Sequence, residues 1–163
     1  MKFGRAVIFI AAIVATLGAI PAAAQGGSPF LLRLHVSADE GRKATALAAL
    51  TAALAPLRDI KLTDREADYV LSLVVLPAGT GGYVISVLVM HVHTETSLDA
   101  RGRQWGMSEA DRKQMVALLK GTGALLDQRV VTGSDLAALC SDIARALSAD
   151  VLEPQRRFRA PSR

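Results

Sequence analysis

The sequence predicts an α+β fold, a two-layer sandwich with helices on one face of a four-stranded mixed sheet. Three observations predict it. Two long apolar runs, residues 69–76 and 83–92, flank a glycine-rich reversal. An earlier alternating run is joined to them through a leucine-periodic helix. A shorter apolar run and an amphipathic helix then follow. The predicted order is β-α-β-β-α-β-α.

Residues 1–24 have the order of a secretory leader. Lys2 and Arg5 supply the positive start, residues 6–20 are apolar, Pro21 breaks the run, and Ala22, Ala23 and Ala24 fit a cleavage site before Gln25. The expected location is periplasmic or secreted; an uncleaved membrane anchor is the alternative. No Cys follows the small residues, so lipid attachment is not expected. About 140 residues remain, enough for a single α+β domain over residues 25–153.

The 163-residue chain carries a net charge of +4. Its excess cations are Lys2 and Arg5 in the leader and Arg156, Arg157, Arg159 and Arg163 near the end. The folded part is close to neutral, which argues against a nucleic-acid-binding face. Residues 154–163 read as a basic, disordered tail. Membrane contact is expected only through an uncleaved leader or weakly through these arginines. Cys140 has no partner cysteine, so no internal disulfide forms.

Residues 30–37 alternate: Phe30, Leu32, Leu34 and Val36 inward, Leu31, Arg33, His35 and Ser37 outward. Ser37 with Glu40 reads as a capping box, opening a helix with Leu47, Leu50 and Leu54 on one face. Pro56 ends it. Residues 58–66 read as a polar lead-in. The strand–helix–strand order implies a parallel crossover.

The hairpin follows. Pro77 stops its first strand, and residues 78–82 include glycines for a tight turn. Both faces of the second strand are apolar. Val84, Ser86, Leu88, Met90 and Val92 share one; Tyr83, Ile85, Val87, Val89, His91 and His93 share the other. Helices in a domain this size cover one sheet face well, so the less covered face is expected to bind a partner or a second copy. That face is read as Ile85, Val87 and Val89, with His91, His93 and Glu95 as its polar rim. Should Ile85→Asp unfold the protein, the assignment passes to the Leu88 and Met90 face.

Residues 94–106 read as a polar loop with a turn at 99–102, and Trp105 as a packing anchor. Ser108 opens a helix closed by Lys120 and Gly121. Residues 124–132 form a shorter strand. In the last helix Leu136, Leu139, Cys140, Ile143, Leu147 and Val151 face inward, and Pro154 ends it. Two topologies compete for the last strand: beside the third, continuing the meander, which is preferred because sequential strands usually neighbour each other, or beside the first, in a ferredoxin-like order with an extra helix.

The ADYVLSLVVLP segment, the GGYVISVLVMHV segment, and the strand and helix after them resemble the N-terminal domain of the Tol-system propeller protein. They are also similar to periplasmic activators of cell-wall synthases. The resemblance covers about residues 67–151 and implies a module that binds other envelope proteins and catalyses nothing. The helix opening at Ser108 departs from it, and neither a propeller nor a lipidated Cys is present. No binding residue transfers.

Candidate chemistry is sparse. His91 and His93 share a strand face and could ligate zinc or copper if His35 or Glu95 joined them. Without a Cys or HExxH-like spacing, the pair reads better as polar residues at a strand exit. Cys140 falls on the apolar helix face, as a structural cysteine does. Asp64, Glu66 and Asp68 lack the Gly and terminal Glu of a calcium loop and read as a solvated turn. No nucleophile elbow, phosphate loop or dinucleotide fingerprint is present. The function expected is an exported, non-catalytic envelope adaptor. The alternatives are a periplasmic metal-binding protein and a small hydrolase without a recognisable motif.

Overall fold

The structure, a computed structural model, describes residues 28–79 and 81–159. The leader expected at residues 1–24 and the last four residues of the expected tail lie outside these. The chain folds around one five-stranded sheet of order β2-β1-β3-β4-β5.

β1 (Phe30–Ser37) leads into α1 (Glu40–Leu54). Asp39, not Ser37, is the N-cap; its carboxylate accepts from the Arg42 backbone N–H at 3.1 Å and pairs with the Arg42 guanidinium. The capping preference for Asp is as strong as for Ser, so the start shifts by two residues. Ala46, Leu50 and Leu54 face the core, while Leu47 is exposed.

The polar lead-in contains an additional strand, β2 (Ile60–Leu62), parallel to β1 at the sheet edge. The sheet thus has five strands rather than four. Three residues are too few for an alternation to register in sequence. β3 (Tyr69–Ala78) lies parallel to β1, with Leu34 opposite Leu71, as the crossover implies. β4 (Gly82–Val92) returns antiparallel, with Leu73 opposite Val87. Gly79 and Gly81 in the connecting turn have φ of 51° and 88°, where a Cβ is strained.

Two helices leave the sheet before it resumes. α2 (Glu95–Gln104) occupies the stretch read as a loop, and α3 (Glu109–Leu119) packs against it. β5 (Gly123–Gly133) then pairs antiparallel beside β4, as expected for the meander, with a bulge opposite Val89 and Met90. α4 (Leu136–Ala146) follows, capped by Asp135.

Pro154 does not end the helical run. A π-helical turn, Leu147–Leu152, carries it into α5 (Glu153–Arg159). The wider turn gives the proline ring room at the carbonyl that an α-turn would bring against it. Residues 154–159 are therefore helical, not tail-like. The Arg156 guanidinium grips Asp59 through Nε at 2.7 Å and Nη2 at 3.1 Å.

The core lies between one sheet face and the α1–α4 layer. It holds Leu32, Tyr69, Leu71, Leu73, Val75, Ile85, Val87 and Val89 from the strands, and Leu50, Leu139, Cys140, Ile143 and Leu147 from the helices.

Candidate functional site

The parity of β3 and β4 decides which sheet face is open. Ile85, Val87 and Val89 are at most 1 % exposed and form the core. The expected partner surface on these residues is therefore corrected: α1 and α4 pack over that face. Alternation could not choose between two apolar faces, and the choice was made by the helix that docked.

The opposite face is open. Val74 and Leu76 on β3, Met90 on β4, and Leu125 and Val130 on β5 are exposed. The register makes them neighbours. Val70 faces Met90, Met90 faces Leu125, Val74 faces Ser86, and Ser86 faces Val130. The result is an apolar strip interrupted by hydroxyls at Ser72 and Ser86. Those two serines, which share its parity, are the trace this side leaves in the sequence, too slight to outweigh the apolar residues around them.

His91 belongs to the core face. A ladder of edge-on rings runs from Phe30 to Tyr69, His91 and His93, with centroids 5.6, 5.3 and 5.1 Å apart. His93 Nδ1 is buried with no hydrogen-bond partner. The two histidines are thus brought together, but neither proposed third ligand joins them. His35 sits opposite Ser72, on the other side of the sheet. Glu95 is held by Lys120 Nζ at 2.8 Å. Among the described residues no three His, Cys, Asp or Glu side chains gather as a metal group.

The acidic turn has a structural task. Asp68 accepts from the Thr94 hydroxyl and Glu66 from the Thr96 hydroxyl, both at 3.3 Å. These contacts fasten the first turn of α2, where Thr94 and Ser97 form a capping box. Asp99 on α2 bridges Arg103 at 2.7 Å and Arg112 of α3 at 2.9 Å. The Arg112 hydrogen bond, with Arg103 beside it, holds the Asp99 carboxyl below its ordinary range against a partial desolvation. Glu95 raises Lys120 in the same way.

Trp105 is not a packing anchor. It is 64 % exposed at the end of α2, with the Arg101 guanidinium 5.9 Å from its ring centroid. Cys140 is fully buried, and that burial pushes its thiol up. Among the described residues no helix is long and apolar enough to cross a membrane.

No protein-family model matches the chain, and no curated protein matches it. Among solved structures it is similar to a PelC dodecamer from Paraburkholderia phytofirmans. The identity is 16 %, the TM-score 0.40, and the match covers 74 % of this chain and 85 % of that one. A likeness of this size carries no argument about function.

Proposed function

We propose that this chain is an exported, non-catalytic adaptor domain of the bacterial envelope that binds another protein across the open face of its sheet. One observation carries the reading: Val74, Leu76, Met90, Leu125 and Val130 are exposed together on a rigid sheet. Contiguous apolar surface of this kind usually marks a protein interface. The charged start, apolar run and small-residue end of residues 1–24 support export. The resemblance of residues 67–151 to envelope-binding modules points the same way. Zinc or copper at His91 and His93 is not part of the proposal, because His35 lies across the sheet and Glu95 is engaged by Lys120.

The test is capture from envelope extract with the exported protein, whose intact mass should begin at Gln25. Val74→Asp and Leu76→Asp should each lose the captured protein at least tenfold while keeping the thermal transition. The captured protein, once purified, should bind the unaltered chain and not the variants. Equal capture by wild type and both variants would end the proposal.

A further inference from the structure

The two edges of the sheet differ sharply. β2 closes one edge with three residues, whereas β5 leaves eleven residues at the other. Among the described residues no strand lies beyond β5. A short edge strand is a usual defence against unwanted pairing; a long one exposes a row of N–H and C=O groups that a further strand can complete. Leu125, Leu126 and Val130 on this edge are 54, 39 and 63 % exposed.

The side chains of β5 specify what that strand is. Its only charges are Asp127 and Arg129, two residues apart, flanked by Leu126 and Val130 and separated by Gln128. Read backwards, Leu-Asp-Gln-Arg-Val becomes Val-Arg-Gln-Asp-Leu: apolar positions coincide and the charges exchange. We infer that β5 pairs antiparallel with β5 of a second copy, about a twofold axis at Gln128, joining two sheets into one of ten strands. In that register Asp127 faces Arg129 of the other copy twice, and the bulged Leu126 comes beside Val130 at each end.

The neighbouring registers are penalised. A slip of two residues in one direction sets Asp127 against Asp127, and in the other Arg129 against Arg129. Like charges directly opposite destabilise a ladder. A one-residue slip instead turns core-side residues to the open face. Asp127 and Arg129 share one face, opposite Val89 and Val87 of β4, and within one chain Arg129 already bridges Asp127 at 2.6 Å and Asp150 at 3.0 Å; the second copy would extend this pair into a four-charge cluster of alternating sign. Leu126 is the extra residue of the β5 bulge, so the regular ladder is the stretch Asp127 to Arg129 and ends at each side where Leu126 meets Val130. An isologous contact of this kind closes at two copies. It also brings the two open faces side by side.

The experiment uses single cysteines in a Cys140→Ala background, on chain purified from the exported fraction. Residues directly opposite in an antiparallel pair have Cα atoms about 5 Å apart, within disulfide reach. Gln128→Cys should therefore form a disulfide-linked dimer under mild oxidation. Val130→Cys should not, because its counterpart lies four residues away, about 14 Å along the strand. Sedimentation of the unaltered chain should give twice the chain mass, and Val130→Lys should return it to the monomer with its circular dichroism unchanged. A monomeric unaltered chain, or cross-linking at Val130 in place of Gln128, would overturn the inference. Self-pairing stands apart from the adaptor reading: a monomer whose partner capture still depends on Leu76 ends the first and keeps the second.

Discussion

Cys140 shows how a side chain's chemistry is set by what surrounds it. Its sulfur is 4.0 Å from the Ala46 carbonyl oxygen, under the α1–α4 contact, and burial raises the thiol above its ordinary value. A raised thiol in a closed site is a poor nucleophile. Cys140→Ala is expected to keep partner binding and to cost about 1 kcal/mol, since only a small cavity opens. A thiol reagent should label the native protein slowly and the denatured protein at once; rapid native labelling would contradict the burial. Trp105 is the converse case. Aromatic bulk favours burial, yet its position at the end of α2, followed by Gly106 with φ of 70°, leaves it in solvent.

At the scale of elements, α2 and α3 are held by polar contacts more than by a core. Leu98 and Gly102 are the buried residues of α2, and α3 has none. Gly102 allows the close approach: a Cβ there would lie 2.7 Å from Arg112 Cγ and 3.1 Å from Met115 Cε. The ion pairs do the rest, and their titration has a sign. Asp99 is depressed when folded, so its stabilisation is complete above the ordinary carboxylate range and is lost as pH falls through the lower folded value. Lys120 is raised, so its stabilisation is complete below the ordinary lysine range and is lost as pH rises through the higher folded value. Hydrogen exchange should therefore show α2 and α3 opening first at both pH extremes, before β3 and β4. Exchange in α2 and α3 that stays level from acid to alkaline pH would refute this. Both contacts are partly exposed, so salt should weaken them.

For the whole molecule, the decisive fact is that one sheet separates a covered face from an open one. A charge introduced at Ile85, which is fully buried in the covered face, is cut off from water at a cost on the order of several kcal/mol. Ile85→Asp is expected to abolish the cooperative thermal transition, whereas Leu76→Asp, on an exposed side chain one strand away, should keep it. A folded Ile85→Asp protein would mean that the helices do not cover that face.

The sequence by itself determined what depends on local periodicity and local stereochemistry. The alternation of residues 30–37, the apolar runs around Gly79 and Gly81, and the leucine spacing of the last helix fixed β1, the β3–β4 hairpin, α4 and the class of fold. Cys140 was assigned to the core because the helical period places it with Leu136 and Ile143. β2 was too short to show a period, and α2 was too polar, being stabilised by Glu66, Asp68 and Arg112 from elsewhere in the chain. Only the tertiary structure decided which face of the hairpin is core. Both faces are largely apolar and only Ser72 and Ser86 mark the open one, so the local pattern weighs little between them; the docking of α1 and α4, a contact between residues far apart in the chain, decides. The same step moved the candidate surface from Ile85, Val87 and Val89 to Val74, Leu76 and Met90, and left β5 at the edge.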